Sequence, residues 1–102
     1  MSIRRQDADG RVVLAIGGEV DLATSPELRL AIDAALDSGA AELCLDLCAT
    51  SFMDSSGLHV LFDSQVRASA LKRRLRIICP PGPVRRLFEL SGFADRLSLA
   101  HE

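Results

Sequence analysis

Segments in which hydrophobic residues recur every two residues alternate along the chain with segments in which they recur about every 3.6 residues. The first pattern predicts strands and the second predicts helices. In the first strand-like stretch, Val12, Leu14 and Ile16 alternate with other residues and predict one buried strand face. Asp9-Gly10 comes just before this stretch, and Asp-Gly favours a tight turn with positive φ. We therefore expect an antiparallel hairpin at the start of the chain.

The first helical pattern follows this hairpin. Ser25 predicts an N-cap with Pro26 at the first helical position, while Thr24 and Glu27 together have the spacing of a capping box. Gly39 predicts the C-terminal end. The apolar stripe repeats at i, i+3, i+4, i+7 and i+8 and consists of Leu28, Ala31, Ile32, Ala35 and Leu36.

A third strand and a second helix come next. Leu43, Leu45 and Leu47 alternate with polar or small residues and predict a strand, from which the chain runs on to the polar segment 54–57, DSSG. A helical stripe begins directly after this segment and takes in Leu58, Leu61, Phe62, Gln65 or Val66, and Ser69.

The pattern then repeats once more. Leu75 and Ile77 mark a strand, Pro83 and Gly92 predict the two ends of a short helix, and residues 96–100 predict a last strand. The order of elements is thus two strands followed by helix and strand three times. This order is typical of an α/β protein with a largely parallel sheet.

The faces of the predicted strands indicate where the helices lie. One face carries Leu, Ile and Val, whereas the other carries Glu42, Asp46, Arg76 and small residues. A parallel sheet with helices on both sides would be apolar on both faces, so we expect helices mainly on one face. With right-handed crossovers, this predicts a mixed, mainly parallel sheet of about four to five strands, in rough sequence order, as a β/α superhelix.

Composition narrows the classes of function. The chain has 102 residues, of which 48% are hydrophobic and 25% charged, with a net charge of −2, as is ordinary for one globular domain over 1–102. No basic stripe with interleaved aromatic residues predicts a nucleic-acid partner. No apolar run is long enough for a membrane helix or a secretory leader. We therefore expect a cytoplasmic protein.

Three cysteines are too few for a disulfide scaffold. Cys44 and Cys48 lie on one predicted strand, where four residues span roughly 13 Å, too far for a disulfide. Cys48 and Cys79 could meet at the ends of neighbouring strands. Because buried single cysteines usually act as small hydrophobic residues, a redox or metal role for this pair is the less favoured interpretation.

The segment 54–57 is the main candidate for chemistry, because it joins the carboxyl end of a strand to the start of a helix, where ligand sites of α/β sheets gather. Asp54, Ser55 and Ser56 all favour helix caps, so capping alone could explain them. A hydroxyl at a helix start can also accept a phosphoryl group, whose charge the helix N-terminus tolerates. The residues alone leave both interpretations open.

Two enzyme-like interpretations fit poorly. A phosphate-binding loop needs more glycine and a lysine, and a nucleophile elbow needs a glycine two residues before the serine, where Met53 stands. A serine hydrolase using Ser55 would also need a general base. His59 lies four residues on, along the next helical turn, and is more typical of a helix-surface residue.

Three segments in order resemble the STAS domain family and, within it, the bacterial anti-sigma factor antagonists. GEVDLATSPEL (18–28) is similar to the family's strand end and helix start, and SFMDSSGL (51–58) to its phosphoacceptor loop. VRRLFELSGFADRL (84–97) is similar to its C-terminal helix and turn. The resemblance covers nearly the whole chain and implies the STAS-type mixed sheet in a β/α superhelix.

The resemblance implies partner switching. The unphosphorylated protein would bind an anti-sigma factor that is also a GHKL-type serine kinase, and so release the sigma factor. That kinase would phosphorylate Ser55, and a PPM-type serine phosphatase would reverse the step. The protein would not be an enzyme, would need no cofactor or metal of its own, and would be a monomer or weak dimer.

The remaining residues of the implied site are assigned by the same resemblance. Ser56 and Gly57 would belong to the phosphosite loop, with Ser56 supporting it, and Asp54 would orient the Ser55 hydroxyl or contact the kinase. Asp21 matches the acid beside the phosphoacceptor. His59 stands where the family commonly has a second glycine, and could change the choice of kinase. The alternative is a STAS scaffold or transporter-associated subunit without kinase switching.

Overall fold

The structure is a computed structural model that describes residues 1–92 together with the backbone of residues 99–100. The rest of the predicted last strand lies outside the described residues. In chain order the elements are β1 (Ser2–Ala8), β2 (Arg11–Val20), α1 (Ser25–Asp37), β3 (Glu42–Asp46), β4 (Thr50–Met53), α2 (Ser55–Ala70), β5 (Arg74–Ile78), α3 (Pro83–Ser91) and β6 (Leu99–Ala100).

The strands form a mixed sheet that follows the chain closely. Their order is β1-β2-β3-β5-β6, and β4 pairs with the far end of β2. β1 runs antiparallel to β2, and the other described pairs are parallel. The predicted α/β fold, with a mainly parallel sheet in a β/α superhelix, is confirmed.

The hairpin turn has the predicted chemistry. Asp9 and Gly10 have φ values of 51° and 77°, and positive φ at both central residues is the mark of a type I′ turn. The turn joins Ala8 directly to Arg11 in antiparallel register. The register places Val12 on the core side of β2, where it is buried.

One face of the sheet forms the core and the other faces outward. The buried face carries Val12, Leu14, Ile16, Leu43, Leu45, Leu75 and Ile77. On the opposite face a polar row crosses three strands. The Glu42 carboxylate lies 3.2 Å from Nε of Arg11 and 3.9 Å from Nη1 of Arg74. This asymmetry agrees with helices packed mainly on one face.

The start of α1 differs from the prediction. The N-cap is Thr24, and Ser25 is already helical and buried. The Thr24 hydroxyl oxygen accepts a hydrogen bond from the backbone N–H of Asp21 at 2.9 Å and makes no side-chain cap bond to the helix. The predicted capping box between Thr24 and Glu27 is therefore wrong. The Thr24 hydroxyl bonds to the loop that precedes α1 and not to the backbone of the helix. Gly39, with φ +86°, follows the C-cap as predicted.

The buried face of α2 is rotated from the predicted stripe. Val66 is 56% exposed, whereas Ser64 and Ala68 are buried. The Ser64 hydroxyl donates to the carbonyl oxygen of Val60 at 2.6 Å, so its polar group is satisfied within the helix and can be buried. The full set of buried residues on α2 is Gly57, Leu58, Val60, Leu61, Ser64 and Ala68.

The strand β4 was not predicted. It has four residues, and its two central ones, Ser51 and Phe52, are both exposed, so it lacks alternation. The register of its pairing with β2 shifts between Gly18 and Glu19, and such a bulge breaks the period of two. This short strand nevertheless positions the candidate site, because it delivers the chain to the start of α2.

Candidate functional site

The carboxyl ends of β2 and β4 lie side by side and bring two acidic residues together. Val20 pairs with Met53, and the backbone N–H of Asp54 donates to the carbonyl oxygen of Val20 at 3.1 Å. Asp21 follows Val20 and Asp54 follows Met53, so both acids stand at one edge of the sheet. The helix that begins with Ser55 starts at this same edge.

Asp54 is the residue that caps α2. Its backbone is extended, with φ −106° and ψ −171°, and its Oδ1 accepts hydrogen bonds from the N–H groups of Ser56 at 2.9 Å and Gly57 at 3.4 Å. Three adjacent residues favoured this role in the sequence, and the aspartate fills it. Its carboxylate is therefore held against the helix backbone, where it stabilises the first turn.

Ser55 is the first residue of α2 and its side chain is exposed. Because Asp54 supplies the cap, the Ser55 hydroxyl is not needed to satisfy the helix. Within residues 1–92 the Ser55 hydroxyl makes no hydrogen bond to another protein group. Ser56 is more enclosed, at an intermediate level of burial. The two serines thus differ in access, and Ser55 is the one open to a second molecule.

Gly57 is buried beneath the loop instead of lying on the surface. A Cβ atom at this position would stand 2.5 Å from Cγ of Met53 and 2.9 Å from Cγ1 of Val20. Such distances are far inside van der Waals contact. The glycine thus allows the first turn of α2 to sit directly on the two strand ends.

Asp21 is fixed by a reciprocal exchange of hydrogen bonds with Thr24. Its Oδ1 accepts from the backbone N–H groups of Ala23 and Thr24, both at 3.0 Å, and from the Thr24 hydroxyl at 3.1 Å. The bonds from the Thr24 backbone and then its side chain hold the pKa of Asp21 below the ordinary value for a carboxyl group. Asp21 therefore presents a fixed negative charge at neutral pH.

His59 lies one helical turn beyond Ser55 and is also exposed. No hydrogen bond links its ring to the Ser55 hydroxyl in the described structure. The two residues stand on the same helix face, so His59 borders the exposed serine. His59 is therefore a surface residue next to Ser55 and is not positioned as its general base.

Two exposed apolar side chains border the acids and were missed in the sequence. Leu22, next to Asp21, is 76% exposed, and Phe52, paired with Glu19 across β2 and β4, is 48% exposed. Exposed apolar groups rimmed by charged ones are typical of protein-binding surfaces. The only signal in the sequence was their position next to the strand ends, which could not be recognised without β4.

The three cysteines are not joined by a disulfide. Cys44 and Cys79 are buried and Cys48 is exposed, although Cys48 and Cys79 both line one small cavity with Leu47. Burial raises the pKa of the Cys44 and Cys79 thiols. Both buried thiols are therefore poor nucleophiles at neutral pH.

The described residues thus form a two-layer α/β domain with an exposed serine at a helix start, beside two acids and two exposed apolar side chains. The chain belongs to the STAS domain family, because the family profile described as "Mlab, STAS domain" matches residues 3–100. In the described residues, no helix is long and apolar enough to cross a bilayer.

Several relatives are anti-sigma factor antagonists. The anti-sigma-B factor antagonist of Staphylococcus aureus is 27% identical over 95 residues, covering 93% of this chain and 88% of that protein. The crystal structure of an anti-sigma factor antagonist from Mycobacterium paratuberculosis is 28% identical, with a TM-score of 0.89, covering 96% of this chain and 83% of the other.

The fold is also that of the Bacillus cell fate determinant SpoIIAA, an anti-sigma factor antagonist. Its unphosphorylated form matches with a TM-score of 0.83 at 24% identity, covering 99% of this chain and 88% of SpoIIAA. Its phosphorylated form matches with a TM-score of 0.76 at 23% identity, covering 99% and 91%. At these identities the likeness shows the fold.

Proposed function

We propose that residues 1–102 form a single STAS domain that acts as an anti-sigma factor antagonist and is not itself an enzyme. In its unphosphorylated form it binds an anti-sigma factor that is also a GHKL-type serine kinase, and so releases a sigma factor. Phosphorylation of Ser55 by that kinase ends the binding, and a PPM-type serine phosphatase restores it.

One observation carries this proposal: the Ser55 hydroxyl is exposed and makes no hydrogen bond in the described structure, while Asp54 caps the helix in its place. Modification of Ser55 therefore changes the surface without removing a structural bond. Two relatives that share more than a quarter of their aligned residues with this chain are anti-sigma factor antagonists.

The chemical step requires only a nucleophilic hydroxyl from this chain. Oγ of Ser55 forms a bond to the γ-phosphorus of the kinase's ATP, and the bond from that phosphorus to the β,γ-bridging oxygen breaks, so ADP leaves. The hydroxyl proton passes to a base of the kinase. ATP and its magnesium ion belong to the kinase.

The phosphate then changes what the partner meets. It adds about −1.5 to −2 units of charge beside Asp21 and Asp54. The kinase nucleotide must face Ser55 during transfer, so its own phosphates repel the new group afterwards, and the phosphoserine must also lose water to be buried. Leu22 and Phe52 supply apolar contact area in the unmodified complex.

The test incubates the protein with ATP, magnesium and the anti-sigma kinase whose gene lies nearest to the gene for this protein. Mass spectrometry then identifies the modified residue. We expect one phosphate at Ser55, its loss in Ser55→Ala, and its retention in the matched control Ser56→Ala. Phosphorylation that persists in Ser55→Ala would refute the assignment.

A phosphate mimic tests the binding step separately. Ser55→Asp is expected to weaken kinase binding by about tenfold or more, since like charges across an interface cost several kcal/mol. Its circular-dichroism spectrum and melting temperature should stay close to those of the unmodified protein, because an acidic residue is tolerated in the first helical turn. A large loss of folding would instead assign Ser55 a structural role.

The alternative, a STAS scaffold or transporter-associated subunit, makes a different prediction. Such a module would co-purify with a transporter component and would not be labelled at Ser55 by a GHKL-type kinase. The sulfate transporter family protein of Wolinella succinogenes has this fold, with a TM-score of 0.76 at 16% identity, covering 88% of this chain and 75% of its own, which is a likeness of fold alone.

A further inference from the structure

His59 is the only side chain able to carry a positive charge between positions 55 and 62, the first two turns of α2. It lies four residues after Ser55, and such residues share one helix face with Cβ atoms about 5–6 Å apart. Both side chains are exposed. A phosphate on the Ser55 hydroxyl would therefore stand within reach of the imidazole ring.

Two of the backbone N–H groups that usually hold a phosphate at a helix start are already engaged here. The N–H groups of Ser56 and Gly57 donate to Oδ1 of Asp54, at 2.9 and 3.4 Å. A phosphate on Ser55 would have to displace this cap to use them. A side-chain partner is the alternative that leaves the helix start intact.

The nearby arginines are engaged as well. Nη2 of Arg29 on α1 lies 2.9 Å from Oδ2 of Asp63. Arg67, two turns beyond His59, pairs with Asp33 and Asp37 of α1. In the described structure His59 makes no hydrogen bond or ion pair.

We propose that the imidazolium of His59 is the intramolecular counter-ion of phosphorylated Ser55, which makes the switch sensitive to pH as well as to the kinase. The inference rests on the proposed function only in taking Ser55 as the phosphoacceptor. An anion placed four residues N-terminal to a cation is the favourable order on a helix, since it also matches the helix dipole.

The surrounding charges favour this pairing. Asp21 and Asp54, at the strand ends, repel the phosphate and turn it away from the sheet edge. Asp63, one turn beyond His59 on α2, would compete for the imidazolium, but Arg29 of α1 already neutralises it.

The elements packed on α2 carry further charged groups, among them Glu27, which is exposed in the first turn of α1. Asp33 and Asp37 of α1 are paired with Arg67. The arginines of β5, Arg74 and Arg76, alternate with buried Leu75 and Ile77 and so face the opposite side of the sheet.

The pairing changes the charge that a partner meets. Histidine gains its proton between about pH 8 and pH 5. A protonated His59 ring would offset part of the phosphate charge and hold the phosphate against α2, whereas a neutral ring would leave the phosphate with its full charge. The phosphate itself also loses some charge towards pH 6, because its second pKa is about 6. The rise in repulsion from pH 6 to pH 8 should therefore be larger in the parent than in a variant that lacks His59.

The experiment places phosphoserine at position 55 during synthesis, so that no kinase is needed, and compares the parent chain with His59→Gln. Glutamine keeps hydrogen-bonding capacity but carries no charge. At pH 6 and low salt, phosphorylation should raise the melting temperature of the parent by about 2–4 °C more than that of His59→Gln. This difference in melting-temperature rise between the parent and His59→Gln should vanish at pH 8 and in 1 M salt.

Nuclear magnetic resonance gives a second readout that does not depend on stability. The phosphorus resonance of phosphoserine 55 should differ between the parent and His59→Gln at pH 6, and coincide at pH 8. The imidazole resonances of His59 should shift on phosphorylation, with His101, the second histidine of the chain, as the internal reference.

Each outcome separates this inference from the proposed function. An equal rise in melting temperature in both backgrounds, with unchanged His59 resonances, would overturn the pairing while leaving kinase labelling of Ser55 intact. A clear His59 response combined with no kinase labelling at Ser55 would support the pairing as a property of the helix and refute the proposed switch.

Discussion

Gly57 lies so close to Met53 that a Cβ atom on the glycine would stand 2.5 Å from Cγ of the methionine. Cγ1 of Val20 would be only 2.9 Å from the same atom. The first turn of α2 is thereby seated on the ends of β2 and β4. The buried Gly57 thus sets the position at which Ser55 reaches the surface. Gly57 itself makes no surface contact available to a partner.

The first prediction concerns this close approach. Gly57→Ala should lower the free energy of unfolding by about 1–3 kcal/mol, because overpacking outweighs the roughly 1 kcal/mol that alanine gains over glycine in a helix. Urea denaturation measures the change. In a Met53→Ala background, which lacks the nearest side-chain atoms, Gly57→Ala should lower the free energy of unfolding by less than it does in the parent. An equal loss in the parent and in Met53→Ala would contradict the steric explanation.

The second prediction separates the cap from the charge of Asp54. Asp54→Ala should cost about 1 kcal/mol of unfolding free energy, because the N–H groups of Ser56 and Gly57 lose their acceptor. Asp54→Asn keeps an acceptor oxygen and should stay within a few tenths of a kcal/mol of the parent. Denaturation curves for the two variants check this. Equal destabilisation by both would show that the charge, and not the cap, stabilises the helix.

Periodicity was sufficient to predict most of the fold. The alternation at Val12, Leu14 and Ile16 and the Asp9-Gly10 turn predicted the hairpin correctly. The polar outer faces of the strands predicted that helices lie mainly on one side. These features follow from side-chain burial over several residues, which is why one sequence suffices to detect them.

Finer features depended on contacts that no local pattern encodes. Strand β4 is only four residues long, and the strand it pairs with, β2, has a bulge between Gly18 and Glu19. Ser51 and Phe52 are both exposed, so the period of two is lost. Gln65 or Val66 was predicted to continue the apolar stripe of α2, but Val66 is exposed and the smaller Ser64 and Ala68 are buried instead. Which of three adjacent cap-forming residues caps α2 depended on backbone angles, and the sequence left that open.

The third prediction concerns the ion pairs between α1 and α2. Arg67 bridges Asp33 and Asp37, and these pairs fix the relative positions of two helices that start at the site. Arg67→Met should lower the melting temperature by about 2–6 °C at low salt, because two carboxylates lose their shared cation. The difference should shrink in 1 M salt.

A matched control for Arg67 is Arg74→Met. Arg74 is 79% exposed and lies 3.9 Å from Glu42, so its loss should change the melting temperature little. If Arg74→Met were as destabilising as Arg67→Met, a general effect of removing surface charge would replace the bridging explanation.

The last prediction concerns Asp21 and pH. The pKa of Asp21 is lowered in the folded state by hydrogen bonds from the Thr24 backbone and then its side chain, whereas an unfolded aspartate has a pKa of about 3.9. The stabilisation is therefore fully present above about pH 4 and is lost as the pH falls through the lower, folded-state pKa.

Asp21→Asn should accordingly be less stable than the parent at pH 7, and the gap should narrow as the pH falls from 4 towards 2. Carboxyl carbon titration by nuclear magnetic resonance should place the pKa of Asp21 below the ordinary value. Thr24→Val should raise it part of the way back, because the backbone N–H bonds remain. Glu19→Gln, which removes a neighbouring exposed carboxylate, is the matched control. An Asp21 that titrates at the ordinary aspartate value would show that the exchange with Thr24 does not hold the acid in place beside Ser55.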